Sequence, residues 1–430
     1  MWSKFFQHYR DPYLVSRIQE FFGVQIHYNE HSKNKAINTI NDWTAKNEKN
    51  SPANANSHLS KNGHVNHEIE RTNNNHQNES RLNSDNASAI HVEDKISYKI
   101  KNYFWYYLFL FGTELGDEVF YLTFIPFWFW NIDGSAGRKI VLVWATIMSI
   151  GQALKDIICW PRPSSPPVAR LQKKWSLEYG MPSTHAMIGV SIPFSVILFT
   201  MNKYNYSIVA GCIAAILWCS LICVSRIYLG MHTVLDVLVG LILSILLMIL
   251  FVPLVNILDY YFLTNGWTLL AFVIISILII IYYPRSDKWT PTRGDTTLVI
   301  SVTAGVHVGA WLNYKTGAFV MPIQPPPYEI IWPSYLILGI TTLRTIFGFC
   351  CVLGTKVICK TLTYNTMCAI LQVNSKELMQ SKDSLKNKKK ILVDLVYKYI
   401  TCFMIGFNIV YLLPNIFAMI GIERPTFYTE

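Results

Sequence analysis

The chain has 430 residues, is 51% hydrophobic and carries a formal net charge of +10. That apolar share exceeds what a soluble enzyme needs, and the apolar residues cluster in runs of membrane-spanning length, near 20 residues each. The charge does not point to nucleic acid. Many of the cations flank apolar runs, as at Lys386, Lys388, Lys389 and Lys390, which is the ordinary pattern of loops beside spans.

Residues 1–27 form an N-terminal segment in which 11–25 read as a short amphipathic helix. Leu14, Ile18, Phe21 and Phe22 share a face that suits a bilayer surface or the helical body. Met1 to Gly23 has no continuous apolar core of the kind a cleaved signal requires. Residues 28–97 are dense in Asn, Ser, His and charge, so they are expected to be disordered. His58, His64, His67 and His76 there are irregularly spaced and make no metal site. Two glycosylation sequons, at Asn78 and Asn86, fall in the same segment.

Residues 98–430 read as an all-α, polytopic membrane domain. About nine spans are expected, near 104–130, 140–158, 185–201, 207–225, 234–257, 267–283, 296–313, 329–353 and 397–421. Residues 355–395 read as a polar stretch. The cysteines begin at Cys159, lie mostly in apolar runs and follow no metal or disulfide spacing. His307 and Arg344, inside spans, are expected to be satisfied within the bundle, Arg344 by a carboxylate or a carbonyl.

Three strings at span ends carry chemistry. The first is Lys155-x6-Arg162-Pro163, whose two cations can clamp a phosphate. The second is Pro182-Ser183-Thr184-His185, where Ser183 reads as a helix N-cap. It places the Thr184 amide and His185 beside any anion bound at the helix start. The third is Ser225-Arg226-x5-His232-x3-Asp236. At i and i+4 on a helix, His232 and Asp236 would share a face. The carboxylate would then hold one imidazole nitrogen and leave the other as a nucleophile. With the spans above, all three strings fall on one membrane face.

Together the strings resemble the signature of the type 2 phosphatidic acid phosphatase superfamily. Pro-Ser-Thr-His, where most relatives have Pro-Ser-Gly-His, resembles the sphingosine-1-phosphate phosphatases within it. So do the opening Asp11-Pro12-x4-Arg17-x-Gln19 and the stretch from Leu108 to Asp117. The resemblance implies a six-helix phosphatase core, no metal cofactor, and the endoplasmic reticulum membrane with a lumenal site. It implies hydrolysis of sphingosine 1-phosphate and dihydrosphingosine 1-phosphate through a phosphohistidine. In that scheme His232 attacks phosphorus, Asp236 supports it and His185 serves as acid and then base. Lys155, Arg162, Ser183, Thr184 and Arg226 bind the phosphate.

One of Glu114, Asp117 and Glu118 is expected to meet the substrate ammonium, since carboxylates in an apolar setting need a partner. The alternatives are a glucose 6-phosphate or polyprenyl diphosphate phosphatase of the same superfamily, or a non-catalytic lipid-binding or transport protein. A lumenal site would also place the Lys-rich 382–390 loop in the lumen, against the positive-inside trend.

Overall fold

The computed structural model describes residues 2–27, 97–172, 174–284, 290–319, 325–330, 332–374, 378 and 388–428. The expectations for the Asn-rich segment, its sequons and Lys386 lie outside the described residues.

The chain opens with two short helices, α1 (Trp2–Arg10) and α2 (Pro12–Phe21). Asp11 caps α2 by accepting the Tyr13 N–H at 3.0 Å. The helix buries Val15, Ser16 and Gln19, while Phe21 stays exposed. The buried face is centred on Val15 and Gln19, with Ile18 and Phe22 packed against the core beside them, so Ile18 and Phe22 of the expected apolar face dock on the body while Phe21 does not. Strand β1 (Val24–His27) pairs antiparallel with β2 (Ser97–Ile100), Val24 opposite Ile100 and His27 opposite Ser97.

The apolar run at 104–130 is not one span but two helices, α3 (Tyr103–Glu114) and α4 (Glu118–Asn131). Asp117 starts α4 as its N-cap, accepting the Glu118 N–H at 2.6 Å. Gly116 allows the break to approach the next helices, because a Cβ there would lie 2.8 Å from His185 Cδ2. Helix α5 (Gly134–Ile158) follows, capped by Asp133, which accepts the Ala136 N–H at 2.8 Å. Then come α6 (Thr184–Thr200), α7 (Ile208–Tyr228), α8 (Val234–Thr264), α9 (Gly266–Ile281) and α10 (Thr292–Lys315).

Helix α11 (Tyr335–Ile370) runs well past residue 353, so the first part of the expected polar stretch is helix. Its last turns are held by packing of Tyr364 and Cys368 with Val393, which overrides their mixed composition. Helix α12 (Lys388–Phe407), a π turn over Asn408–Leu412 and α13 (Leu413–Met419) complete the body. A two-residue parallel pair, β3 (Tyr204–Asn205) with β4 (Tyr328–Glu329), joins two loops at the opposite end from the site.

Among the described residues, α5, α7, α8, α11 and the run Lys388–Met419 are long and apolar enough to cross a membrane. Helices α6 and α9 are shorter and apolar. The outer faces of α8 and α11 expose Ile249, Leu250, Leu353 and Leu362, as hydrocarbon contact requires. Helix α10 is more polar and lies buried against α5 and α12. Gly305 and Gly406 let α10 and α12 touch backbone to backbone, since a Cβ on either would collide with a carbonyl of the other helix. Arg138 of α5 grips Asp259 of α8 with two bonds, at 3.0 and 3.2 Å. His307 bonds the Thr303 carbonyl at 2.8 Å and approaches Asp259 at 3.9 Å. Arg344 bonds the carbonyls of Ile422 and Trp130 and the side chain of Asn131. Arg344 thus finds the carbonyl partners expected of it, whereas His307 is only half satisfied, its buried Nε2 making no hydrogen bond.

Candidate active site

The site lies where α5 and α7 end and α6 and α8 begin. Each of these ends is built by its own local chemistry. Cys159 closes α5 in the left-handed region, with φ 52°. Ser183 caps α6 and accepts the Ala186 N–H at 3.5 Å. Thr233 caps α8 in a reciprocal box: its hydroxyl accepts the Asp236 N–H at 3.2 Å, and Asp236 Oδ2 accepts the Thr233 N–H at 2.7 Å. Gly230, at φ +71°, turns the chain between α7 and α8 beneath the Ala169 carbonyl, where no side chain fits.

Backbone bonds then lock the loops together. The Ser183 N–H donates to the Asp236 carbonyl at 3.1 Å, and the Gly180 N–H to the Trp160 carbonyl at 2.7 Å. Arg162 donates to the Met231 carbonyl at 2.7 Å and to the Glu178 carbonyl at 2.9 Å. Helix α2 fastens the same assembly from outside. Gln19 Nε2 donates to the carbonyls of Ala169 and Tyr228, each at 2.7 Å, and Gln19 Oε1 accepts the Ala169 N–H at 3.0 Å. Arg10 stacks 4.1 Å over the Trp160 ring.

All eight residues of the expected catalytic and phosphate-binding set are buried at this junction. Lys155 Nζ donates to Thr184 Oγ1 at 2.9 Å and to Glu178 Oε2 at 2.5 Å. Arg226 donates to Thr113 Oγ1 at 2.8 Å and to Gln172 Oε1 at 3.0 Å. Five buried nitrogens of this set carry no hydrogen bond: Arg162 Nη2, Arg226 Nε, His185 Nε2 and both ring nitrogens of His232. Two are cationic donors and three are imidazole nitrogens, the donor and nucleophile set that a phosphoryl group needs.

The His232–Asp236 relation differs from the expected one. His232 does not lie on the helix with Asp236; it stands just before the N-cap, and the carboxylate serves the capping box. His232 Nδ1 and Asp236 Oδ2 are 3.9 Å apart, an electrostatic contact rather than a hydrogen bond. Burial, then the charges of Arg162, Arg226 and Lys155, hold the His232 imidazole well below its usual range. It is therefore neutral at physiological pH, with a lone pair available.

Glu178 was missing from the sequence reading. It is the one carboxylate between Cys159 and Ser183, in a loop that also holds Arg162, Arg170, Lys173 and Lys174. That isolation was the available signal. Burial opposes its ionisation, but Lys155 and Arg162 outweigh this and hold its carboxyl below the usual range. Burial lowers Arg162 to about 10, against the pull of Glu178 and Asp236.

A cavity opens beside His185, Thr184 and Glu178 and continues among Trp144, Val302 and Ile409. Its largely apolar lining, with a few polar groups at one end, suits a ligand site. Asp117 and Glu118 line it, and Glu114 does not. Asp117 is paired with Lys174 at 2.8 Å.

Residues 136–260 match the PAP2 superfamily. The chain is 39% identical to rat sphingosine-1-phosphate phosphatase 1 over 326 residues, covering 76% of this chain and 74% of the relative. It is 36% identical to human sphingosine-1-phosphate phosphatase 2 over 329 residues, covering 76% and 80%. A dihydrosphingosine 1-phosphate phosphatase of Schizosaccharomyces pombe is 27% identical over 282 residues, covering 61% and 65%. No solved structure matches the chain. With this identity over most of both chains, and the matched residues spanning the site helices, the chain belongs to the PAP2 superfamily and to the family of the sphingosine-1-phosphate phosphatases within it.

Proposed function

We propose that the chain hydrolyses sphingosine 1-phosphate and dihydrosphingosine 1-phosphate to the free sphingoid base and inorganic phosphate. One observation carries the chemistry: two buried imidazoles with unpartnered nitrogens stand among three buried cations, and one of them, His185, borders an apolar cavity. The relatives' names supply the substrate class.

His232 Nε2 attacks phosphorus, forming the N–P bond as the P–O bond to the lipid breaks. Nε2 is the nitrogen assigned because Nδ1 is the one facing Asp236. The imidazole gains positive charge in this step, and the Asp236 carboxylate offsets it. His185 Nε2 gives its proton to the departing alkoxide. Water then attacks phosphorus, His185 takes a proton from it, the N–P bond breaks and phosphate leaves. Lys155, Arg162 and Arg226, with Ser183 and the Thr184 amide at the start of α6, hold the equatorial oxygens and their growing charge. The ordering of a phosphate cradle above an apolar cavity fits a lipid whose phosphate is at one end.

Residence in the endoplasmic reticulum membrane with a lumenal site completes the reading, on the resemblance of the three strings. The test is phosphate release by membranes expressing the chain, with sphingosine 1-phosphate, phosphatidate and glucose 6-phosphate in parallel. Release from the first that vanishes in His232→Ala supports the reading. Release from another phosphate alone keeps the chemistry and replaces the substrate. No release from any, with folded protein, points to lipid binding or transport.

A further inference from the structure

Three helices that wall the cavity share one gradient. On α5, Trp144, Met148 and Gln152 line it at four-residue spacing, and Lys155 follows at the phosphate cradle. On α10, Asp295 lies in the first turn and Leu298, Val299 and Val302 follow inward. On α4, Glu118 comes first and Leu122 and Ile125 follow. Each helix is polar where it borders the cradle and apolar within about two turns of it. The polar band lies between the cations and the apolar chamber. It carries acceptors, not donors of positive charge.

Gln152 marks this band as a site rather than a chance cluster of acids. It is 2% exposed, lines the cavity, and its Oε1 has no hydrogen-bond partner. A buried carbonyl oxygen left unpaired is costly unless a ligand supplies the donor. His185, 9% exposed, borders the same space with an unpartnered Nε2. Among the described residues neither Asp295 nor Glu118 is held in an ion pair, whereas Asp117 and Glu178 already have Lys174 and Lys155. The charged groups facing Asp295 are the carboxylates Glu178 and Glu118 and the cations Lys398 and Lys155.

The geometry points to an ammonium subsite formed by Gln152, Asp295 and Glu118, which reads the 2-amino group of a sphingoid-base phosphate. The subsite rests on the substrate class proposed above and deepens it. In such a lipid the ammonium is on the carbon next to the phosphorylated one, and a 3-hydroxyl and the hydrocarbon follow. Gln152 lies one helical turn below Lys155, a rise of about 4.5 Å, which matches a cation one carbon beyond the ester carbon. The Gln152 amide accepts from the ammonium or the hydroxyl, and the two carboxylates neutralise the charge. A glycerol-based phosphate has no cation to place there and leaves the acceptors unpaired, which is how a polar site rejects an analogue. Asp295 lies outside the 136–260 match to the superfamily, so the C-terminal helices add selectivity to a shared phosphate cradle.

The test compares sphingosine 1-phosphate with octadecyl phosphate, an amine-free chain phosphate, using the full-length chain in detergent and the variants Asp295→Asn, Gln152→Leu and Glu118→Gln. The reading is the ratio of kcat/KM for the two substrates. The expected result is a fall of about tenfold in that ratio for Asp295→Asn and Gln152→Leu, the size of one lost charge-assisted bond. Turnover of octadecyl phosphate shows that a variant is folded. A second measurement needs no variant: the unmodified chain should hydrolyse the N-acetylated derivative of sphingosine 1-phosphate about tenfold less well than the parent. An unchanged ratio in all three variants, or equal rates on parent and N-acetyl derivative, overturns the subsite and leaves the substrate reading standing. Hydrolysis of octadecyl phosphate without hydrolysis of sphingosine 1-phosphate overturns the substrate reading and the subsite with it.

Discussion

Lys155 Nζ lies 2.5 Å from Glu178 Oε2, and Arg162 Nη2 lies 3.8 Å from the same oxygen. A carboxylate thus holds two of the cations that the phosphate requires. In a buried site, an anion beside an incoming phosphate dianion weakens its binding, so Glu178 sets how tightly free phosphate is retained. Glu178→Gln is expected to lower the inhibition constant for inorganic phosphate by about tenfold and to slow turnover through product release. Inhibition titrations with phosphate and vanadate check it. A weaker inhibition in the variant would instead make Glu178 the group that aims Lys155.

The same carboxyl links the site to acid stability. Its folded pKa is lowered, so its contribution is present above its unfolded value and is lost as pH falls through the folded one. His232 also has a lowered folded pKa. Below its ordinary value the unfolded chain takes up a proton that the folded site refuses, so stability falls as pH drops from there. Activity should follow the same direction. The acid limb of kcat/KM belonging to the nucleophile should lie below about pH 6.5, the ordinary histidine value. A limb above that value would mean that His232 is not the neutral base the site makes it.

Much of the site was legible because its residues are local in sequence. Ser183 reads as a cap from Pro-Ser-Thr-His alone, and Arg226, His232 and Asp236 lie within eleven residues. What failed was the secondary structure between them. A four-residue spacing suggested one helix face, but Thr233 captures Asp236 in a capping box and leaves His232 outside. The break at Gly116 was hidden because the run around it is apolar on both sides, and only its contact with His185 shows why it is needed. Gln152, Glu178 and Asp295 carry no motif. Their importance comes from which cavity they border, and that depends on contacts between helices far apart in the chain.

Gln19 shows such a long-range contact outside the catalytic core. Its side chain bonds the Ala169 amide and the carbonyls of Ala169 and Tyr228, so it joins the loop after α5 to the end of α7. Gln19→Leu keeps the volume and leaves three buried backbone groups unpaired. The expected cost is about 2–4 kcal/mol of stability. Because Gln19 does not touch the cavity, kcat should fall more than KM changes. Thermal inactivation and steady-state kinetics on the full chain check both. Unaltered thermal inactivation would show that α2 is dispensable for holding the loops.

The pairing of β1 with β2 makes sidedness measurable. His27 and Ser97 are opposite one another, so the 28–96 segment leaves and rejoins the body at one place. That place is on the site face, because α2 immediately before it is bonded to the loops of the site. The two sequons, at Asn78 and Asn86, therefore report which compartment the site faces. With a lumenal site the chain should carry N-glycans there, and Asn78→Gln with Asn86→Gln should raise its mobility on a gel to that of the glycosidase-treated form. A cytosolic site leaves both unmodified and gives no mobility shift. To separate a buried sequon from a cytosolic one, a protease site inserted between residues 40 and 60 can be cut in sealed microsomes. Protection until detergent is added is the lumenal result, and cutting without detergent places the catalytic face in the cytosol. That second outcome would also agree with the Lys388–Lys390 run at the start of α12, which is the one local feature that favours it.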